Sequence, residues 1–353
     1  MPNQSAEVSE EHKPILPTDD ESDNRTTSDT CGLTEVTEKG TEYVEASISE
    51  DSESCNTSVD DVGRKRKASD DGPNMKTSSP DQRGLSGSEV VDPTAEFEAK
   101  YKQEDLLGKG GCGSVFAGYR KADNLPVAIK HVPSVNILCK HVNGISLEVA
   151  IMLKLAAKSD QTSAPISLLE WYNLDQELIL VLERPIPAKD LRGHIETNGG
   201  PLDEEEAKVI LKQLIDAAID LEKQHIFHRD IKVQNILIET SSNRPRVRLI
   251  DFGLSRFVKK RTSYREFFGT QSPPECGDRG VYRPGPTTVF QIGMVLFDML
   301  HLSEFAKDSF FANKQRISYK LSNDCKDLLR TTLNREPKKR PTLKQLKSHP
   351  WLT

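Results

Sequence analysis

The sequence predicts an α+β protein with a β-rich N-lobe, an α-helical C-lobe and a disordered acidic N-terminal tail in front. Three observations lead there. A glycine-rich stretch, Gly108-Lys-Gly-Gly-Cys-Gly113, separates two strand-like runs and is followed by a third apolar strand, Pro126-Val-Ala-Ile-Lys-His131. From Ala207 onward the apolar residues recur at helical spacing instead of alternating. Residues 1–100 carry 24 Asp+Glu against 10 Lys+Arg, a net −14, whereas residues 101–353 carry a net +8.

The tail comes first. Up to about Pro93 the chain is Ser, Thr, Asp and Glu with few large apolar residues, too little to offset the entropy of ordering. Residues 1–97 are therefore expected to be disordered and 98–353 to form the folded domain. Within the tail, Arg64-Lys-Arg-Lys67 is followed by Ala68 and Ser69. Three compatible readings attach to it: a solvated charge cluster, a short nuclear-import signal, or a phosphorylation site at Ser69. The N-terminus has no apolar signal core and no apolar run is long enough to span a bilayer. Six scattered cysteines without a Cys-x-x-Cys pair fit a reducing compartment better than a disulfide or zinc framework. The expected location is the cytoplasm, with the nucleus added if the basic run acts in import.

In the folded part, Leu106–Gly110 and Ser114–Tyr119 read as a β-hairpin tipped by the glycine loop, with Val127 and Ile129 on one face of the next strand. Leu147–Leu155 reads as a helix, and Glu177–Leu182 as a buried strand that closes the N-lobe (98–182). Glu183-Arg-Pro-Ile-Pro187 is the hinge, and 188–353 the C-lobe. There, Asp203 is a predicted N-cap, with Glu206 completing a capping box. The helix from Ala207 to about Gln224 places Val209, Ile210, Leu214, Ala217, Ala218 and Leu221 on one stripe. Further helices are predicted near Val289–Leu300 and Cys325–Leu333. A β lobe over an α lobe leaves a cleft at the hinge.

Five motifs fall along this framework in a fixed order: the glycine loop, Val127-Ala-Ile-Lys130, His228-Arg-Asp-Ile-Lys-Val-Gln-Asn235, Asp251-Phe-Gly253 and Pro274-Glu275. Each has a mechanical part in moving the γ-phosphate of ATP to a hydroxyl, and together they predict the bilobal protein kinase fold. Glycines let the backbone close over phosphates. Leu107, Gly108, Lys109 and Gly110 lead into the tip, and Gly111, Cys112, Gly113 and Ser114 leave it, with Val115 packing on adenine. Lys130 is placed to bridge the α- and β-phosphates, with Glu148 as the carboxylate that holds it. Asp230 is the expected catalytic base and Lys232 steadies the γ-phosphate. Asn235 and Asp251 offer the oxygen ligands that Mg²⁺ prefers. Glu183 at the hinge and Asp190 just below it complete the nucleotide-binding set. His228 is expected to pack near Phe252 as a structural residue, and Glu275 to form a buried pair with Arg340. Arg229 is open to pairing with either a phosphate on Thr262–Tyr264 or a fixed carboxylate.

Across residues 98–353 the chain resembles the PIM family of serine/threonine kinases. The resemblance rests on Glu183-Arg-Pro-Ile-Pro187, His228-Arg-Asp-Ile-Lys232, Ser272-Pro-Pro-Glu275 and the ending Arg340-Pro-Thr…His349-Pro-Trp351. It implies use of ATP and Mg²⁺, activity without an activation-loop phosphate, and substrates carrying arginine upstream of the target Ser or Thr. Pro185 has no N–H, so adenine is expected to lose one hinge hydrogen bond, worth about 1 kcal/mol, and Leu182 would guard the back of the pocket. The chain departs from the family at Val233, Gln234 and Gly193, where acidic residues would select basic peptides. Its activation segment is also basic, with Lys259, Lys260, Arg261 and Arg265. The loop after Thr270 is about two residues short, and Phe290-Gln-Ile-Gly293 replaces a tryptophan-serine pair. A relaxed preference for basic substrates follows, and the alternative is a kinase-fold scaffold that holds ATP and transfers phosphate poorly. The expected partners are protein substrates, with no nucleic acid, because the basic residues lack interleaved aromatics. No membrane is expected, and the protein should be a monomer. The charge division further suggests that the acidic tail folds back on the basic domain.

Overall fold

A computed structural model of the chain describes residues 92–137, 144–157, 163–241, 244–259 and 261–353. The basic run Arg64–Lys67 and Lys260 lie outside the described residues. Among the described residues the first element, helix α1 (Pro93–Lys100), starts five residues ahead of the expected domain boundary. Asp92 caps it by accepting from Thr94 N, and Pro93 fits the first helical position, where an N–H is not needed. Phe97 then anchors α1 by packing on Tyr101 and Tyr172, with ring centroids 5.8 and 5.5 Å away.

Five antiparallel strands make the N-lobe sheet: β1 (Tyr101–Gly110), β2 (Gly113–Arg120), β3 (Pro126–Pro133), β4 (Leu168–Asn173) and β5 (Glu177–Glu183), in the order β1-β2-β3-β5-β4. Alternation decides which side chains face where. Val127 and Ile129 are buried in a small outer cluster with Phe97, Tyr172, Ile179 and Val181. Lys130, between them and Val132 in the pleat, belongs to the opposite face and so reaches the cleft. Helix α2 (Leu147–Ala156), capped by Ser146 on Val149 N, packs on the same side.

Below the hinge, β6 (Ala188–Asp190), β8 (Ile236–Glu239) and β9 (Arg246–Leu249) form a three-stranded sheet in the order β6-β8-β9. The short β7 (Ile226–Phe227) and β10 (Arg256–Phe257) form another, bracketing the catalytic loop. The rest is helical: α3 (Leu191–Thr197), α4 (Glu204–Lys223), α5 (Pro274–Asp278), α6 (Pro284–Leu300), α7 (Lys307–Phe311), α8 (Asn323–Thr332) and α9 (Leu343–Lys347). Helix α6 is buried without a break from Thr287 to Leu300, as befits a helix apolar on all sides.

Two details of α4 differ from expectation. Val209 is exposed, because it shares a face with Gln213, Asp216 and Asp220. The buried stripe runs instead through Ala207, Ile210, Leu211, Leu214, Ala217, Ala218 and Leu221. Asp203 does cap the helix, accepting from Glu206 N at 2.8 Å. The Glu206 carboxylate does not return to the cap, however; it bonds His194 Nε2 at 2.7 Å. A side chain with a better partner one helix away leaves the box half made.

Candidate active site

The glycine loop is the turn between β1 and β2. Gly108 pairs with Val115, Lys109 with Ser114 and Gly110 with Gly113, and Gly111 and Cys112 form the tip. Leu107 precedes this on β1. Gly113 has φ +150°, and a Cβ there would lie 2.0 Å from His131 O, so only glycine lets β2 approach β3 this closely. Among the described residues nothing lies within 4 Å of where a Cβ at Gly110 or Gly111 would be, which leaves room for a ligand under the tip. The Cys112 thiol is pushed up to about 11, mainly by burial with further help from Asp251, and so stays protonated near neutrality. Its neighbour is Gly253, across the cleft.

Val115 stands opposite Lys130 in the β2–β3 ladder. Lys130 is buried, and its Nζ lies 2.6 Å from Glu148 Oε1 and 2.9 Å from Asp251 Oδ1. Strand β3, helix α2 and the Asp251-Phe-Gly253 turn thus converge on one ammonium group. Burial alone would drive the lysine neutral, but the two carboxylates outweigh it and hold its pKa well above the ordinary value. Glu148 is raised by burial, with Lys130 opposing. Asp251 also suffers burial, but Lys130 and the Gly253 N–H win, and its pKa falls to about 2. The carboxylate suited to a cation is therefore ionised throughout the neutral range.

The catalytic loop lies directly below. Asp230 Oδ2 accepts from Lys232 Nζ at 2.7 Å and from Asn235 Nδ2 at 2.9 Å. Asp230 Oδ1 is buried without a partner among the described residues. Gly269, with φ +134°, passes so close that a Cβ would lie 3.2 Å from that oxygen. Asn235 also donates to Asp230 O, which fixes its amide and leaves its side-chain oxygen available. Asp251, at φ 61°, sits in the left-handed region, a strain typical of residues held for function. His228 packs on Phe252 with ring centroids 4.9 Å apart and contacts Ile250 O at 3.2 Å, tying the catalytic loop to the Asp251 turn.

Arg229 takes neither of the partners considered from sequence. Its guanidinium donates to Tyr282 OH at 2.9 Å and Glu266 O at 3.1 Å, and lies over the rings of Tyr264 and Phe268. Aromatic faces, a tyrosine hydroxyl and a main-chain carbonyl hold it, while its Nε keeps no partner among the described residues, so the activation segment is seated without a carboxylate or phosphate on it. Gln291 of α6, fully buried, donates to Arg229 O at 2.6 Å. Sequence reasoning marked Gln291 only as a departure from the family; its spacing inside an apolar helix was the available signal.

Two of the expected nucleotide-binding residues have their side chains committed elsewhere. Glu183 is clamped by both terminal nitrogens of Arg248, one at 2.6 Å, and by Ser167 N and Oγ at 3.2 and 3.0 Å. What Glu183 can offer adenine is its main chain. Arg248 also reaches Glu239 at 2.7 Å, a buried cluster that binds hinge to C-lobe and was not foreseen. Asp190 caps α3 by accepting from Gly193 N at 2.7 Å. Glu275 and Arg340 form a bidentate pair at 2.9 and 2.6 Å, and Arg340 also donates to Pro286 O and Asn334 O.

These residues fit a nucleotide and its metal. Asp230 keeps an oxygen without a partner, Lys130 is charged, and the glycine tip stands clear of the other described residues. Among the described residues no three His, Cys, Asp or Glu are grouped as a self-sufficient metal site. Asp251 and Asn235 supply two oxygens, the number suited to Mg²⁺ held chiefly by substrate phosphates.

Residues 101–352 match the protein kinase domain family. The chain is 36% identical to the serine/threonine-protein kinase pim-2 of Danio rerio over 269 residues, covering 72% of this chain and 86% of that protein. It is 28% identical to the serine/threonine-protein kinase prk-2 of Caenorhabditis elegans, covering 73% of this chain and 59% of the relative. With the sperm motility kinase 2B of Mus musculus it shares 30% identity, covering 73% of this chain and 52% of the mouse protein.

Proposed function

The chain belongs to the protein kinase family and is a PIM-like serine/threonine protein kinase, and from its cleft we propose that Asp230 is the base through which it phosphorylates protein Ser and Thr hydroxyls. The observation that carries this reading is the unpartnered Asp230 Oδ1. A buried carboxylate oxygen without a bond costs free energy unless something binds it, and an incoming hydroxyl would supply that bond. Oδ2, held by Lys232 and Asn235, fixes the carboxylate so that Oδ1 presents its lone pair.

The other roles follow from position. Lys130, charged and steered by Glu148, would orient the nucleotide phosphates beneath Gly110 and Gly111. Asp251 and the Asn235 amide oxygen would hold Mg²⁺, and Lys232 would meet the transferred group. Mg-ATP, when bound, supplies the phosphoryl group and the counter-charge for its oxygens. Gly269, lacking a Cβ, lets the activation segment lie close against Asp230 without a side chain pressing on its carboxylate. Arg229, seated in aromatics, supports activity without a phosphate on that segment. The missing carboxylates at Gly193, Val233 and Gln234 support a relaxed preference for basic peptides. We further propose a monomer working in the cytoplasm, with Arg64–Lys67 giving access to the nucleus.

The test is γ-phosphate transfer from Mg-ATP to a mixed set of Ser, Thr and Tyr peptides, with Asp230→Asn as the blank. Incorporation on Ser and Thr that vanishes in the blank is the expected result. Nucleotide binding without transfer would overturn the assignment and leave a scaffold.

A further inference from the structure

The phosphate-transfer chemistry leaves one large hollow unused. It lies behind the catalytic loop, has a volume of about 450 Å³, and includes none of Lys130, Asp230, Asn235 or Asp251 in its walls. That size falls within the ~300–1,000 Å³ typical of ligand sites. Its floor is apolar, built from Leu221 of α4, Ile226 and Phe227 of β7, Ile231 and Val258. Its rim is cationic. Lys259, Arg261 and Arg283 are all exposed there, and none has a side-chain partner among the described residues. Among the described residues of the lining, Glu222 is the single carboxylate, and His225 and His228 are its histidines. The positive end of the α6 dipole, at Pro284–Pro286, opens onto the same space.

Three cations gathered around one opening repel one another unless an anion joins them. The floor asks for something different, namely apolar side chains to displace its water. A ligand meeting both demands is a peptide that mixes carboxylates with apolar residues. This chain carries one. Between Glu42 and Glu53 stand five carboxylates and no Lys or Arg, interleaved with Tyr43, Val44 and Ile48. Glu53 is joined to α1 by 39 residues. Such a linker has a root-mean-square reach of about 35 Å if flexible, against a diameter of about 45 Å for a domain of this length. Attachment also gives the segment an effective concentration near the millimolar range.

We propose that this cavity is the docking site of the chain's own Glu42–Glu53 segment. The apolar side chains enter the floor and the carboxylates meet Lys259, Arg261 and Arg283. The floor is the back of the catalytic loop: Phe227 and His228 precede Asp230, and Ile231 follows it. Docking therefore bears on the catalytic base from behind, without touching the nucleotide. Phosphates on Ser47, Ser49 or Ser52 would add charge and tighten the contact.

The experiment uses the full chain with a benzophenone amino acid in place of Tyr43. After irradiation, cross-links are expected on segments 218–231, 256–262 and 283–288, within one molecule when isotopically light and heavy protein are mixed. Reversing the rim with Arg261→Glu and Arg283→Glu should lower the yield about tenfold. Adding Glu42→Arg and Glu45→Arg to that variant should restore it, which a merely misfolded protein cannot do. Cross-links elsewhere in the domain, cross-links between molecules, or a yield indifferent to both reversals would overturn the proposal.

Discussion

Of the buried ion-pair systems among the described residues, one lies in the cleft and another under the activation segment. In the cleft, Lys130 is shared between Glu148 and Asp251, and beside them Asp230 keeps an oxygen without a partner. Under the activation segment, Arg340 meets both oxygens of Glu275 and three main-chain carbonyls besides, and neither side chain is accessible. Both systems pay desolvation. The lower one answers it completely within the protein and can do nothing but hold its lobe together. The upper one is left incomplete, so that a ligand finishes it. Between these two systems, the satisfied one holds the lobe and the one left short stands where the chemistry is to happen.

That contrast is open to breaking. Asp230→Asn should lower phosphate transfer about 10²–10⁴-fold while moving the melting temperature little, since Asn keeps the bonds from Lys232 and leaves the orphan position polar. Steady-state transfer and calorimetry on the same preparation check it. Arg340→Met should do the reverse. It strands the Glu275 carboxylate and should cost about 3–5 kcal/mol of stability, read from denaturant unfolding, with little change in transfer per folded molecule. The double variant Glu275→Leu, Arg340→Met should recover much of that loss, because two apolar residues have no charge to desolvate. If Arg340→Met instead silenced transfer at full stability, the division between the two systems would fail.

A third prediction concerns a buried carboxylate with no ion-pair partner among the described residues. Asp298 of α6 accepts from Phe305 N at 2.6 Å, yet burial lifts its pKa to about 6. A carboxyl whose folded pKa is raised stabilises most below its unfolded pKa, and that contribution is lost as pH rises through about 6. Asp298→Asn keeps the acceptor and removes the charge. It should therefore gain on the order of 2–3 kcal/mol above that point and nothing near pH ~4. Melting curves of both proteins across this range check the sign: a difference growing toward acid would contradict it.

Most of the cleft was legible in the sequence, because its chemistry needs particular residues at particular separations. Lys130 ends an apolar strand, Asp230 and Asn235 are five apart on one loop, and Asp251 opens its own turn. The partners that hold these groups were harder to read. Arg248 and Glu183 are 65 residues apart and meet only because β9 runs beneath the hinge. Arg229 looked open to a phosphate or a carboxylate, and no spacing could show that Tyr264, Phe268 and Tyr282 would enclose it. On α4, counting apolar residues mistook Val209 for core, since one helix face carries Val209 together with three polar side chains. Periodicity fixes which residues share a face; what that face meets is a tertiary fact.

Gln291 stands between the two systems and gives the finest test of the contrast. It is buried in α6; its Nε2 donates to Arg229 O, and its Oε1 has no partner. It is thus satisfied on the side facing the catalytic loop and unsatisfied on the other. Gln291→Leu removes the bond to Arg229 O and the orphan oxygen together, two changes of opposite sign, each worth about 1 kcal/mol. Stability should move by less than either. Transfer should not escape so lightly, because Arg229 O belongs to the residue before Asp230, and a base displaced by a fraction of an ångström loses its alignment. The expected result is a fall in kcat of about tenfold, or ~1.4 kcal/mol, with KM for ATP unchanged, since Lys130 and Asp251 do not depend on Gln291. Gln291→Glu would retain the shape without the donor and should not rescue kcat, whereas a purely packing role would be rescued. A variant that lost stability and kept its kcat would return Gln291 to the company of Arg340.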